Sequence, residues 1–216
     1  MKIAIPIFDR VTALDAIGPY EVLSRLPGAE LKFVGLGPGA VRTDNRMLSL
    51  NAEVALEDFA EPDILVFPGG IGTRALMKDE RVLDWVRCVN EGTQWTTSVC
   101  TGSLVLAAAG LLQGLQATTH WAAMDTLERL GAKPTARRVV EQGKIVTAAG
   151  VSSGIDMALR LAGHVAGDQV AQAIQLGIEY DPQPPYDSGS PGKATPEVIA
   201  LVRRVEEAEA QAVAAV

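Results

Sequence analysis

The residue best placed for chemistry is Cys100, where the strand-like run Gln94 to Val99 ends and the apolar helix pattern Ser103 to Leu112 begins. A reactive side chain on such a sharp strand-to-helix turn is called a nucleophile elbow. The helix dipole and the free N–H groups at a helix start favour a thiolate, so we predict a lowered pKa for the Cys100 thiol. The pattern is equally compatible with a buried cysteine that fills a tight turn.

The second cysteine, Cys88, lies in the helix pattern Asp79 to Glu91, beside the polar residues Arg81, Asp84 and Arg87. Nothing in that pattern indicates a pocket, and we interpret Cys88 as structural. A chain with only two cysteines cannot form a disulfide scaffold or a four-cysteine zinc site.

A thiol of ordinary pKa needs a base or a polarising group to react. Neither of the two histidines is a strong candidate for the base that would activate Cys100. His164 belongs to an amphipathic helix pattern, and His120 begins a helix at a strand end, where capping or packing explains it. The two are far apart without helical pairing, so we predict no metal site.

The remaining candidate for the base beside the thiol is a carboxylate. Asp15 follows the first strand by a short loop, which places it at the carboxyl edge of the sheet, the edge at which Cys100 lies. The structural alternative is that Asp15 caps a helix. However, Pro19 suits a first helical turn, which predicts a helix from Glu21 to Leu26 with its cap at Gly18. Glu21 is a second carboxylate, but its pattern is that of a solvated residue.

Gly69 and Gly70 end the predicted strand Ile64 to Phe67. Glycines allow the backbone to approach a ligand and expose its N–H groups, although a tight turn also explains them. The loop lacks the Gly-Lys-Ser/Thr of a phosphate-binding loop.

Short apolar runs alternate with longer amphipathic runs, which predicts α/β structure. The alternation implies parallel strands joined by crossover helices that cover both faces. We therefore expect a three-layer doubly wound sandwich. The predicted strands are Lys2 to Phe8, Leu31 to Leu36, Ile64 to Phe67, Gln94 to Val99 and Ile145 to Ala148. The remaining predicted helices are Trp121 to Leu130 and Gly154 to Val165.

The chain shows no internal repeat. We predict one domain over residues 1–195 and a charged, alanine-rich helix over 196–216 that packs on the domain or extends from it. Polar stretches predict a small hairpin near Arg42 to Arg46 and a hairpin turn at Glu141 to Lys144. The segment Tyr180 to Gly192, rich in Pro, Gly, Asp and Ser, predicts a surface loop.

Composition narrows the class of protein. The 216 residues are 48% hydrophobic and 21% charged, which is typical of a globular chain. The net charge of −7 makes nucleic acid an unfavourable partner. The apolar runs are shorter than the ~20 residues that span a bilayer, and the start has no signal-peptide pattern. We expect a cytoplasmic protein that does not bind membranes and keeps its thiols reduced.

Three segments together resemble the ThiJ/PfpI superfamily, which is related to class I glutamine amidotransferases: the Cys100 elbow, Phe67 to Gly70, and Leu14 to Pro19. The stretches Thr97 to Ser103 and Ala117 to Trp121 are similar to the isonitrile hydratase branch. The resemblance covers nearly the whole chain and implies a flavodoxin-like, glutamine amidotransferase-like fold.

The chain departs from other branches at two places. Protease-like members have His directly after the cysteine, where this chain has Thr101. Amidotransferases have His after a late strand, near Gly150 to Ser153 here, and this segment contains none. Both departures disfavour peptidase chemistry.

The resemblance implies an enzyme that converts an isonitrile and water into an N-substituted formamide. Cys100 would attack the terminal isonitrile carbon to form a thioimidate, and Asp15 would supply a proton and then take one from the attacking water. Thr101 would hydrogen-bond the cysteine or the water through its hydroxyl or amide.

The backbone of Gly69 and Gly70 would donate hydrogen bonds beside the cysteine, and Trp121 and Ile155 are candidate pocket walls. The resemblance also implies a homodimer, a small-molecule substrate and no organic cofactor. Two other functions stay open: a ligand- or redox-sensing protein without catalysis, since sensor domains of AraC-type regulators share much of this pattern, and a cysteine-dependent glyoxalase or deglycase.

Overall fold

The structure is a computed structural model that describes residues 1–59 and 61–214. The chain forms two compact units, residues 1–179 and residues 180–216. The first unit contains the central sheet and the helices beside it. The second contains a segment without regular structure, as predicted for Tyr180 to Gly192, and one long helix. The limits 1–195 and 196–216 stay a prediction.

The central sheet contains seven strands within the described residues, in the order β10-β11-β7-β6-β1-β2-β5. All neighbours in this order are parallel except β10 and β11, which form an antiparallel hairpin at the edge. The strands are β1 (Lys2–Pro6), β2 (Glu30–Gly35), β5 (Val54–Ala55), β6 (Ile64–Phe67), β7 (Trp95–Val99), β10 (Val139–Gln142) and β11 (Ile145–Ala148). The smaller strands are β3 (Gly39–Arg42), β4 (Ser49–Ala52), β8 (Gln116–Ala117) and β9 (Lys133–Pro134).

The apolar strands bury both faces because successive side chains point to opposite sides. In β6, Ile64 and Val66 join one core, and Leu65 and Phe67 join the other. The first of these cores is completed by the helices α1 (Ala13–Leu23), α6 (Ser153–Ala166) and α7 (Asp168–Gly177). The second is completed by α2 (Thr73–Leu76), α3 (Glu80–Gly92), α4 (Gly102–Ala108) and α5 (Met124–Arg129). The predicted three-layer α/β fold is confirmed.

The first helix differs from its prediction. It begins at Ala13 with Thr12 as N-cap, so Asp15 lies in its first turn, and Pro19 lies inside it. Because proline has no N–H, Pro19 cannot donate to the carbonyl of Asp15, a cost that normally ends a helix. Burial of Ala16, Pro19 and Val22 offsets this loss, so tertiary packing overrides the local signal.

Other elements follow the predicted pattern with changed ends. The predicted hairpin turn separates β10 from β11, and β3 pairs with β4 as the small hairpin. The predicted helix Trp121 to Leu130 starts with a 3₁₀ turn, Trp121–Ala123, before α5. The prediction missed α7 entirely, which follows α6 after Gly167, a residue with φ of 87°.

The second unit contains α8 (Pro196–Ala214). It agrees with the predicted terminal helix, whose last two residues, 215 and 216, lie outside the described part of the chain. Across the described ranges, no helix combines the length and the apolar character that a membrane crossing needs.

Candidate active site

The elbow, Val99 to Gly102, joins β7 to α4. Cys100 has φ of 55°, the left-handed region that non-glycine residues rarely adopt. Such strain persists only where surrounding contacts hold it. Here the Cys100 N–H donates to the carbonyls of Ala148 (3.1 Å) and Ala149 (2.8 Å). Its carbonyl accepts from the hydroxyls of Ser103 (3.1 Å) and Thr119 (3.0 Å). The fold therefore fixes the backbone of the buried cysteine from both sides.

Asp15 is fully buried in the first turn of α1 and interacts with the Cys100 side chain. Its Oδ2 accepts the N–H of Gly69 at 2.9 Å. Among the described residues, none donates a hydrogen bond to Oδ1. A buried carboxyl oxygen without a partner is costly, so its retention points to a role toward a ligand or toward the thiol.

The loop after β6 requires glycine at its first position. A Cβ at Gly69 would lie 2.5 Å from the Thr101 nitrogen and 2.8 Å from Asp15 Oδ2, far inside van der Waals contact. The absence of a side chain thus lets α1 and the elbow approach the same peptide. Gly70 follows with φ of 129°. Both glycines are buried, and their N–H groups donate to Asp15 and Thr101.

Thr101 ties the elbow to this loop. Its hydroxyl lies 3.0 Å from the Gly70 nitrogen, 3.2 Å from the Gly70 oxygen and 3.2 Å from the Thr73 hydroxyl. The N–H of Gly70 donates to it, so the hydroxyl is occupied by the loop. The Thr101 backbone N–H instead acts on the Cys100 sulfur. The backbone amide of Thr101, rather than its hydroxyl, is therefore the group directed at the thiol.

Burial dominates the electrostatics of the pair. Desolvation raises the pKa of Asp15 to about 7, opposed by the hydrogen bonds from Gly69 and Cys100. Desolvation and the nearby Asp15 charge also raise the pKa of the Cys100 thiol well above its ordinary value. The N–H groups of Val151 and Thr101 lower it, but by less. The predicted lowered thiol pKa is therefore wrong: removal from water outweighs the dipole of the short helix α4.

Because both pKa values are raised, the two groups resist double ionisation. The pair loses its first proton near neutral pH and its second only in alkali, and neither step belongs to one residue alone. Over a broad range above pH 7 the pair therefore carries one proton and one negative charge. This form can present a thiolate beside a carboxylic acid, or a thiol beside a carboxylate.

The two candidate pocket walls differ in burial and in what they contact. Ile155, in the first turn of α6, is partly buried and packs with the core that contains Cys100. Trp121 is half-buried, with its ring 5.6 Å from that of His120. His120 in turn covers Gly150, next to Val151. The structure thus brings together Cys100, Asp15, Thr101 and the two glycines.

Sequence reasoning missed two groups near the pair. One is the Val151 N–H, which acts on the sulfur from a residue with φ of 20°. The other is Asp44, whose charge acts on Asp15 from the β3–β4 hairpin. A backbone N–H leaves no mark in side-chain patterns, and Asp44 lies in a polar stretch that predicts only a loop.

The residues judged structural lie elsewhere. Cys88 is exposed on α3, and His164 stacks on Trp95 with its Nε2 3.2 Å from Glu141. In the part of the chain that is described, no group of three or more His, Cys, Asp or Glu side chains is arranged to hold a metal ion.

Known proteins with the same features are available for comparison. The DJ-1/PfpI family model matches residues 1–163. An isonitrile hydratase from Pseudomonas putida is 45% identical over 204 residues, which cover 94% of this chain and 89% of that protein. The crystal structure of a ThiJ/PfpI family protein from Pseudomonas syringae superposes with a TM-score of 0.91 at 34% identity, covering 99% of this chain and 90% of that one.

A regulator gives a more distant match. The HTH-type transcriptional regulator CdhR from Pseudomonas aeruginosa is 29% identical over 180 residues, which are 82% of this chain but only 52% of the regulator. This chain therefore corresponds to about half of that protein. The family match, the high identity and the matching fold agree with the elbow geometry: the chain belongs to the DJ-1/PfpI family.

Proposed function

We propose that this chain is an isonitrile hydratase, an enzyme that adds water to an isonitrile to give an N-substituted formamide. The observation that carries the proposal is the buried Asp15 carboxyl beside Cys100 at a strained elbow, in a chain 45% identical to the isonitrile hydratase of Pseudomonas putida. Hydration of an isonitrile needs a soft nucleophile and a mobile proton at one point.

In the first step the Cys100 sulfur attacks the terminal isonitrile carbon and forms a C–S bond. The attack leaves an electron pair on that carbon, which takes the proton held by Asp15. The product is a thioimidate with a new C–H bond. Asp15 Oδ1 suits this transfer because it is buried and has no hydrogen-bond partner among the described residues.

In the second step the Asp15 carboxylate takes a proton from water while the water oxygen bonds to the thioimidate carbon. The hydroxyl proton of the adduct passes to nitrogen, the C–S bond breaks, and the formamide leaves. The sulfur recovers its electron pair, and the Val151 and Thr101 N–H groups that act on it stabilise the departing thiolate. The pair regains its single proton.

An absorbance assay with an aryl isonitrile tests this function. We expect the intact protein to consume the isonitrile and release the formamide, and Cys100→Ser to be inactive because a hydroxyl is a far weaker nucleophile. No turnover in either protein would contradict the proposal. It would favour a sensor, to which the 29% identity with a regulator points, or aldehyde chemistry at the same thiol.

We also propose that the protein is a cytoplasmic homodimer. Two free cysteines without a disulfide fit a reducing compartment. Light scattering at micromolar concentration should give about twice the chain mass of 22.8 kDa. A single-chain mass would contradict the dimer.

A further inference from the structure

The β3–β4 hairpin is fastened to the segment that enters α1. The N–H of Asp44 donates to the carbonyl of Val11 at 3.0 Å, and the N–H of Arg10 donates to the carbonyl of Arg42 at 2.7 Å. Val11 and Thr43 also form an isolated parallel bridge. These contacts hold the turn of the hairpin at the N-terminus of α1, the end that carries Asp15.

The carboxylate of Asp44 is held by neutral donors. Its Oδ2 accepts the Thr12 hydroxyl at 2.8 Å, and its Oδ1 accepts the N–H of Asn45 at 2.8 Å. None of the described residues forms an ion pair with it. The nearby Asp9 differs, because Arg46 neutralises it with two hydrogen bonds of 2.8 and 3.0 Å. The hairpin thus leaves one of these two carboxylates with an uncompensated charge.

Thr12 links this charge to Asp15. Thr12 is the N-cap of α1, and its carbonyl accepts the Asp15 N–H at 3.1 Å. Its own N–H donates to the carbonyl of Gly69 at 3.0 Å, and Gly69 donates to Asp15 Oδ2 at 2.9 Å. The residue that binds Asp44 is therefore joined to Asp15 along the chain and through Gly69.

The charge of Asp44 and the N-terminus of α1 have opposite effects on the ionisation of Asp15. The N-terminus of an α-helix stabilises a nearby anion, so α1 alone favours an ionised Asp15. A second anion close by has the opposite effect. The charge of Asp44 contributes to the raised pKa of Asp15, in addition to the larger effect of burial.

We propose that Asp44 is a positioning residue for the Asp15–Cys100 pair: the β3–β4 hairpin holds its unpaired negative charge at the start of α1, where it favours the protonated form of Asp15. This inference rests on the proposed function only for its catalytic consequence. The effect of Asp44 on the pair is a property of the resting protein.

Other carboxylates on α1, and on α6 that packs against it, are paired. On α1, Glu21 pairs with Arg25 at 2.7 Å, and on α6, Asp156 pairs with Arg138. From the elbow, the group that faces Asp15 is Cys100 itself. Glu21 lies on the same helix as Asp15 and changes the net charge equally when neutralised, so Glu21→Gln is a matched control for Asp44→Asn.

The test measures the alkylation rate of Cys100 by iodoacetamide against pH, with peptide mass spectrometry to separate it from Cys88. The reagent is uncharged, so surface charge does not change its local concentration. In Asp44→Asn we expect the lower inflection to move down by about 0.5 unit, the scale of a like charge acting across a partly solvated gap. At pH 8, where the pair holds one proton, alkylation would then be about threefold slower because that proton moves from Asp15 to the thiol, with Glu21→Gln unchanged.

Turnover provides the second arm. If the protein hydrates an aryl isonitrile, the inflection in the acid limb of the pH profile of kcat/KM should move to lower pH by the same amount in Asp44→Asn. A merely structural role for Asp44 would lower the melting temperature without moving either inflection, and that result would overturn the proposal. An equal shift in Glu21→Gln would overturn it as well. Absence of turnover in the wild-type protein would contradict the proposed hydratase but leave the alkylation test intact.

Discussion

The two cysteines of this chain occupy opposite kinds of surroundings. Cys88 lies exposed inside the regular helix α3, beside the solvated ion pair of Asp84 and Arg87. Cys100 is buried at a strained elbow with φ of 55°, and interacts with the buried carboxyl of Asp15. The difference shows that the exposed thiol is not the one with unusual chemical surroundings. The buried thiol is the one beside a buried carboxyl group and backbone N–H groups, and burial raises the pKa of both the thiol and the carboxyl.

Replacement of each cysteine in turn should give the largest difference in isonitrile turnover between the two regions. Cys100→Ala should abolish isonitrile turnover, because no covalent route remains without the sulfur. Cys88→Ala should retain it within about twofold, as is usual for surface substitutions. Initial rates with an aryl isonitrile measure both. Substantial activity in Cys100→Ala, or its loss in Cys88→Ala, would reverse the assignment.

Replacement of Asp15, the proposed proton donor and acceptor, should have the next largest effect on turnover. Asp15→Asn keeps the size of the side chain and an acceptor for the Gly69 N–H, but it cannot move a proton. General acid–base groups contribute typically about 10²–10⁴-fold, so a loss of that order is expected in kcat. Glu21→Gln, on the same helix, should show none. Wild-type rates in Asp15→Asn would reduce Asp15 to a structural residue.

The cost of burying Asp15 should also appear in the pH dependence of stability. Its pKa rises from 3.8 to about 7 on folding, so the native state binds more protons than the unfolded chain between these values. The contribution of Asp15 to stability should therefore fall as pH increases through this window, by about 4 kcal/mol at most. Asp15→Asn should lack this fall, which urea unfolding at pH 4 and pH 8 measures. Parallel pH profiles for the two proteins would contradict the buried carboxyl.

Two glycine-to-alanine substitutions should differ from each other in reaction rate, by less than the cysteine variants do. Gly69→Ala puts a methyl group 2.5 Å from the Thr101 nitrogen, so Asp15 and the elbow must separate. Displacement by about 1 Å can cost roughly 10²-fold in rate, which is the loss we expect. Gly92→Ala, at the end of α3, meets no atom within 4 Å and should stabilise the protein slightly. Similar rates for both variants would show that the loop does not position the pair.

Much of this fold was predictable from local pattern. Apolar strand runs and amphipathic helices identify the α/β class, because their periods reflect which faces are buried. The start of α1 was not predictable, since Pro19 normally lies in a first turn and only burial keeps it inside the helix. Helix α7 was missed, and its burial is limited largely to Ile174.

The candidate site, like the fold, has one part that the sequence predicts and another part that it does not. Residue types and the family resemblance were enough to bring Cys100, Asp15 and Gly69 to attention. The direction of the thiol pKa was not, because helix polarity can be inferred from sequence whereas desolvation depends on the packed surroundings. Asp44 reaches Asp15 only through the tertiary placement of the β3–β4 hairpin.

Intact-protein mass spectrometry during reaction with an aryl isonitrile tests the central claim most directly. The wild-type protein is quenched in acid during turnover. Asp15→Asn is treated with excess isonitrile, because its neutral Cys100 thiol can still pass its own proton slowly to the isonitrile carbon, whereas water activation fails. Peptide mapping then locates any adduct. We predict a mass increase equal to one isonitrile, on Cys100 and absent from Cys88. An adduct on Cys88, or continued turnover with no adduct on Cys100 in either protein, would contradict the account.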